Sequence, residues 1–205
     1  LGNGIYQADV KPGDVKYVDV NHDGVINASD KVDLGNGLPK YTFGFNFTLG
    51  YKGFDLSANF TGAAGFQIAQ SYRDPSSSQA NYSRRILKRW TGEGTSNEIP
   101  RVTYGDVGNW LFSDLYLQDG DYIRLQNLTM GYDFKKLISW KGLSKMRLYF
   151  QVQNLFTLTK YDGMDPEIGS FNGTDGNSSD SWVSGVDMGY YPHPRTFIVG
   201  VNVAF

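Results

Sequence analysis

The chain has 205 residues, enough for one ordinary domain with a sizeable core. Its 19 Lys and Arg against 21 Asp and Glu give a net charge of −2, which excludes the basic footprint of a nucleic-acid binder, and the lack of cysteine excludes disulfide frameworks and thiolate metal sites. Mean hydropathy is −0.39 and no window approaches the run of about 18 apolar residues that a membrane helix needs, a test that a β-barrel evades because only every second residue faces lipid.

The chain opens at Leu1 with no initiator Met, basic n-region or apolar h-region, so either a targeting segment has been removed or this is a piece of something larger. Residues 1–40 are rich in Gly, Asp and Asn without sustained periodicity and read as a loop. Within them, residues 19–30 follow the spacing of a calcium-binding loop. Asp19, Asn21 and Asp23 stand at positions 1, 3 and 5, and Gly24 at the sharp turn. Val25 offers a carbonyl at 7, Asn27 stands at 9 and Asp30 closes at 12. Hard oxygen ligands at alternating positions suit Ca²⁺ in a structural role, although Asp at position 12 is shorter than the Glu that usually closes bidentately. The alternative is an Asx-rich turn that satisfies its own backbone.

Tyr41 to Tyr51 alternates strictly. Tyr41, Phe43, Phe45, Phe47, Leu49 and Tyr51 share one face, and Thr42, Gly44, Asn46, Thr48 and Gly50 the other, a period that belongs to strands. Lys52-Gly53 makes a tight turn into a return strand from Phe54 to about residue 64, giving a hairpin over 41–64. Residues 65–120 form a long excursion, in which Asn81 to Trp90 is predicted as a short basic helix carrying Arg84, Arg85, Lys88 and Arg89.

Asp121 to Phe134 is the next strand, and its apolar positions change parity between Leu125 and Leu128, which predicts a bulge or an inward apolar pair near Gln126 and Asn127. A turn of about ten residues, Lys135 to Ser144, leads to Lys145 to Phe156. There Met146, Leu148, Phe150 and Val152 oppose Arg147, Tyr149, Gln151 and Gln153, completing a hairpin over 121–156. Residues 157–194 form another long loop. Arg195 to Phe205 is the last strand, with Phe197, Val199, Val201, Val203 and Phe205 on one face and small or polar residues on the other.

About ten tilted residues cross a bilayer as a strand, and short turns alternating with long loops are the asymmetry of outer-membrane barrels. The expected fold is therefore an all-β, antiparallel transmembrane β-barrel segment. About five strands cannot close a barrel that needs at least about 8, so further strands would pair with its edges.

The order GDVKYVDVNHDGVI, GLPKYTFGFNFTLGYKGFDLSANFTGAAG, RRILKRW, LQDGDYIRLQNLTMGYDF, RLYFQVQNLFTLTKYDGMDPEIG and RTFIVGVNVAF resembles the C-terminal end of SusC/RagA-type TonB-dependent outer-membrane transporters. The resemblance covers nearly the whole chain. It implies a barrel of about 22 strands with a plugged lumen, a SusD-like surface lipoprotein over the extracellular mouth, energy from the TonB complex, and oligosaccharide or peptide substrates. It also implies the outer membrane of a Gram-negative, Bacteroidetes-like bacterium. Plug and TonB box are not within these 205 residues.

No catalytic motif is present, and an enzyme is not expected. His22 and His193 stand far apart. The loop carboxylates Asp106, Asp114, Asp119, Asp121, Asp162, Asp165 and Glu167 read as turn formers or solvated charges. Trp110, Phe112, Tyr116, Phe171, Trp182, Tyr190 and Tyr191 are loop rings able to stack on sugars, meet a partner or pack on one another. The rival to the transporter is a secreted β-sandwich carbohydrate-binding module with a calcium loop; a sandwich would bury the apolar faces against a second sheet.

Overall fold

The alternating segments become one sheet in a computed structural model of the chain, which describes residues 7, 10–71, 83–103, 108–138, 140–168 and 185–205. The strands are β1 (Tyr41–Tyr51), β2 (Phe54–Ala64), β3 (Gln67–Gln70), β4 (Leu117–Asp119), β5 (Tyr122–Asp133), β6 (Lys145–Thr159), β7 (Val186–Asp187) and β8 (Thr196–Ala204). Five of them form an antiparallel meander in the order β1-β2-β5-β6-β8. Among the described residues there is no α-helix, and the outer edges of β1 and β8 have no strand partner.

The chain divides into two compact units, Leu1–Leu34 with Ser71–Tyr116, and Gly35–Gln70 with Leu117–Phe205. The second unit holds every strand. Its two short connections leave from one end of the meander. At Lys52-Gly53 both residues have positive φ, 47° and 92°, the backbone of a two-residue hairpin turn whose twist matches its strands. The other short connection begins with a 3-10 turn at Phe134–Lys136, capped by Asp133, whose side chain accepts from the Lys135 N–H.

Register places the sequence alternation on two faces. Outward rows run Leu49, Leu56, Met130, Phe150, Val199 and Tyr51, Phe54, Tyr132, Leu148, Val201. Leu49, Tyr51, Phe54, Met130, Leu148, Val199 and Val201 of these rows are exposed, Val199 at 71%, while Leu56, Tyr132 and Phe150 are half-buried between their neighbours. The sandwich alternative is thereby corrected: among the described residues no second sheet covers this face. The phase change predicted near Gln126 and Asn127 is a register shift. Asn59 pairs with Asn127 and Phe60 with Leu125, which leaves Gln126 as the extra residue, and β6 answers with Asn154 at a φ of 51°.

The sequence did not announce the second, three-stranded sheet, in which β3 pairs antiparallel with β4 and parallel with β7. It organises segments read as loop. Beside it Ala63, Phe66, Ile68 and Tyr161 form a buried cluster flanked by Tyr122 and Ile168. Ala63 shares the parity of Asp55, Ser57 and Asn59, so this core lies on the opposite face of β2 from the bare rings. Asp187 is fully buried there and satisfied: its carboxylate accepts from the Tyr161 hydroxyl at 2.6 Å and from the Gly189 and Tyr190 N–H groups.

The first unit is held by long-range hydrogen bonds. Asp14 receives a two-pronged contact from Arg101, Nε at 2.6 Å and Nη2 at 3.0 Å, together with Asn109 Nδ2 at 2.8 Å. Gly13, at a φ of 88°, lies against the Trp90 ring where any Cβ would collide. The basic helix expected at Asn81 to Trp90 is only a 3-10 turn, Arg84–Lys88, with Asn81 outside the described residues. Ser83 provides no side-chain cap, and the chain turns extended at Arg89 because the Trp90 N–H bonds the Ile99 carbonyl at 2.8 Å.

Candidate functional site

The inward parity of the meander builds a polar wall, row by row. Asn46, Asn59, Asn127, Gln153 and Thr196 stand side by side, and the next row is Thr48, Ser57, Thr129, Gln151 and Ile198. Gln151 Nε2 donates to Asn127 Oδ1 at 2.7 Å, linking the two rows. Side-chain amides and hydroxyls both donate and accept, so such a wall suits water and polar solutes. Expectation and structure agree on Arg147, Tyr149, Gln151 and Gln153.

The last inward row to span all five strands before the short turns is Gly50, Asp55, Gly131, Tyr149 and Gly200. Arg147 crosses it, donating from Nε at 2.8 Å and from Nη2 at 2.5 Å to the two oxygens of Asp55. A Cβ on Gly131 would sit 2.5 Å from Arg147 Nε, and one on Gly200 would sit 2.6 Å from Tyr149 Cε1. Two glycines thus let an Arg and a Tyr lie flat on the wall. The Arg147 guanidinium also lies 5.1 Å from the Tyr149 ring centroid.

At the other end of the wall sits a cluster that the sequence did not single out. Arg124 on β5 is 2% exposed, and donates from Nε to Thr157 Oγ1 at 2.9 Å and from Nη1 to Glu167 Oε2 at 2.8 Å. Its Nη2 pairs with Asp165 Oδ1. The other oxygen of Asp165 accepts from the His193 N–H at 3.0 Å and faces His193 Nδ1 at 3.1 Å, so that nitrogen carries the proton. Burial pushes the Asp165 carboxyl up, but N–H donors from Glu167 and His193 and the charge of Arg124 outweigh it and hold its pKa below the ordinary value. Asp165 is therefore a buried ion-pair partner, which corrects its reading as a solvated or turn carboxylate. An Arg at the polar parity of DYIRLQ was the signal that could have found the cluster.

The acidic loop lies in the first unit, and its carboxylates are occupied by backbone. Asp19 is buried; Oδ1 accepts from the Asp23 N–H at 3.2 Å and Oδ2 from the Gly24 N–H at 2.8 Å. Asn21 Oδ1 accepts from Asp23 N–H, Asp23 Oδ1 from Val25 N–H and Asn27 Oδ1 from Ser29 N–H. Asp30 closes the loop by accepting from Val20 at 2.9 Å and Asn27 at 2.8 Å. These backbone donors hold its pKa below the ordinary value despite an opposing contribution from burial. The hydrogen bonds are those of a self-satisfied Asx turn. Among the described residues no group of three or more His, Asp or Glu converges on a metal-sized centre.

The loop rings are divided between the two units. Trp110 and Tyr116 stack in the first unit at 6.4 Å, where Phe112 is exposed, while Tyr190 and Tyr191 are exposed in the second. Asp106, Phe171 and Trp182 lie outside the described residues. Arg84 and Lys88 are exposed. Asp119 acts as a turn former, accepting from the Asp121 N–H, whereas Asp121 makes a long-range tie by accepting from the Gly65 N–H.

No protein-family profile matches the chain. Along its whole length it is 34% identical to TonB-dependent receptor P3 of Formosa agariphila, covering 20% of that protein. It is 28% identical over 98% of its length to TonB-dependent receptor SusC of Bacteroides thetaiotaomicron, covering 18% of it. The chain thus spans about a fifth of the curated relatives it matches. Among solved structures, the RagAB peptide importer in its closed-closed state matches 95% of this chain with a TM-score of 0.65 at 22% identity, covering 20% of its own chain. The RagAB peptide transporter matches 83% with a TM-score of 0.63. These relatives carry the SusC/RagA resemblance stated from the motifs, and the solved structures share the fold of an all-β antiparallel segment. They are receptors and transporters, not enzymes.

Proposed function

We propose that this chain, similar throughout to SusC/RagA-type TonB-dependent receptors, is a stretch of the barrel wall of an outer-membrane nutrient importer in a Bacteroidetes-like bacterium. The observation that carries the reading is the partition of one meander into a bare apolar face and a face of Asn, Gln, Thr and Ser rows. Lipid stabilises the first face and a wet lumen the second. Both edge strands carry unpaired backbone groups that further strands of the longer protein would satisfy. The parent protein would import oligosaccharides or peptides, with a SusD-like lipoprotein at its mouth and energy from the TonB complex. The RagAB peptide importers among the similar structures support the peptide class, and the oligosaccharide class rests on the SusC/RagA resemblance of the motifs.

The test is fractionation of cells expressing the parent protein, followed by detergent extraction and gel mobility with and without heating. An outer-membrane species whose mobility shifts on heating is expected. A protein that stays soluble without detergent overturns the reading.

The loop at residues 19–30 is proposed as a structural Ca²⁺ site in the same protein. Its support is the 1-3-5-7-9-12 spacing, with Asp19 and Asp30 both folded back onto the backbone of the same loop. Asp19, Asn21, Asp23, the Val25 carbonyl, Asn27 and Asp30 would hold the ion, which would cross-link the loop. Titration calorimetry of the parent protein with no heat at millimolar Ca²⁺ would remove this reading.

A further inference from the structure

The short-turn end of the meander carries a combination that the import function does not use. Six rings crowd its outward side: Tyr51, Phe54, Tyr132, Phe134, Trp140 and Phe205. Tyr132 and Phe134 meet edge to face at 5.0 Å, and Trp140 and Phe205 do so at 6.2 Å. Trp140 is 60% exposed and Phe205 84%. The segment bearing Trp140 is tied to β8 by the Ser144 N–H, which donates to the Ala204 carbonyl at 2.8 Å.

Charge at this end is one-sided. Residues 51–55 and 132–147 contain six Lys and Arg and only two Asp. Asp55 is taken by Arg147 on the inner face, and Asp133 Oδ1 accepts the Lys135 N–H at 3.0 Å. Lys52 and Lys141 are exposed, and Lys135 is half-buried. The Lys52 ammonium stands 5.2 Å from the Tyr51 ring centroid, and Lys135 Nζ donates to the Trp140 carbonyl at 2.8 Å, using one of its three N–H groups. The long-loop end is mixed in sign: Lys160 lies 4.0 Å from Asp119, with Asp121, Asp162 and Glu167 in the same loops.

We propose that this end is a binding surface for the headgroups of anionic phospholipids. The inference rests on the barrel reading above. Tyr and Trp rings settle at the boundary between hydrocarbon and headgroups, because each has an apolar body and a polar atom. Lysines on flexible stems just beyond them reach the phosphate layer. Lys52, Lys135 and Lys141 stand beyond the last outward row, so their ammonium groups meet lipid phosphates while the rings hold the depth. A zwitterionic headgroup carries its own cation and competes poorly for the same ammonium groups. Complementarity of charge therefore selects a lipid with net negative charge, such as phosphatidylglycerol.

The experiment compares phosphatidylglycerol with phosphatidylcholine binding to the detergent-solubilised parent protein by native mass spectrometry. Preference for phosphatidylglycerol is expected to fall about fivefold for each lysine removed, on the order of a hundredfold in the triple variant Lys52→Gln, Lys135→Gln, Lys141→Gln. The corresponding Lys→Arg triple variant should keep the preference, and high salt should erase it in the unmodified protein. Equal binding of both lipids, or an undiminished preference in a triple Gln variant that keeps its heat-modifiable gel mobility, overturns the inference while leaving the barrel intact. Loss of preference in salt alone still reads it if the Gln variant does not fold. Absence of a heat-modifiable species in the unmodified protein overturns the barrel reading, and this one with it.

Discussion

Carboxylates in the two units illustrate how differently one side chain is used. In the first unit burial raises the Asp14 pKa, but hydrogen bonds from Arg101, Asn109 and the Lys11 N–H, with the charge of Arg101, outweigh it and leave the value depressed. A depressed folded-state pKa contributes stability that is present above the unfolded value of about 3.9 and lost as pH falls through the folded one. Protection factors of amides around Lys11, Val15 and Arg101 in the parent protein should therefore be high at pH 7 and fall below about pH 4. Asp14→Asn should expose these amides at both pH values; acid protection equal to that at pH 7 would refute the argument. In the second unit the comparison is between two partners of one cation. Asp165 is buried with Arg124, whereas the Glu167 side chain is 48% exposed. Removing the buried partner leaves a guanidinium poorly compensated, at a cost of about 3 kcal/mol or more, against less than about 1 kcal/mol for the exposed one. Thermal unfolding of Asp165→Asn and Glu167→Gln should separate the two clearly, and equal shifts would mean that the cluster is not a buried pair.

At the scale of elements, legibility followed the length of the period. The residues 41–51 and 196–204 alternate long enough for face and register to be read from sequence, and the parity slip between Leu125 and Leu128 gave away the bulge at Gln126. Strands β3, β4 and β7 have only four, three and two residues, too few to carry a period, so the small sheet and its Phe66, Ile68 and Tyr161 core were invisible. The Arg124 cluster was hidden for another reason: Thr157, Asp165, Glu167 and His193 are separated from Arg124 by 33 or more residues, and only pairing of β5 with β6 brings them together. Glycines in the strands test the packing that pairing creates. A Cβ on Gly62 would lie 2.6 Å from the Tyr122 carbonyl oxygen, which is backbone and cannot swing away, whereas one on Gly50 meets nothing within 4 Å. Gly62→Ala is expected to cost about 1–3 kcal/mol by overpacking, and Gly50→Ala to be near neutral or slightly stabilising. Denaturant unfolding of the refolded parent barrel checks this, and similar midpoints for both variants would contradict the register between β2 and β5.

For the whole molecule, the decisive fact is that among the described residues the five-stranded sheet is finished on neither edge nor on its outer face. Every residue of β1 is exposed, including Phe43, Phe45, Phe47 and Leu49 on the outward side. Its outer edge, eleven residues long, meets no strand among the described residues and so presents a row of N–H and C=O groups to a neighbour. In water such an edge is a template for another chain, and in hydrocarbon each unmatched group costs several kcal/mol, so neither solvent stabilises the segment alone. The 205-residue chain expressed by itself should therefore aggregate, or bind detergent without a heat-modifiable band. The parent protein, in which further strands meet β1 and β8, should refold in detergent to a species that migrates differently before and after heating. Cysteines placed on β8 should then cross-link to a strand outside this chain. A monomeric, detergent-free and cooperatively unfolding product from the isolated chain would show that some other partner, not a longer barrel, satisfies these edges.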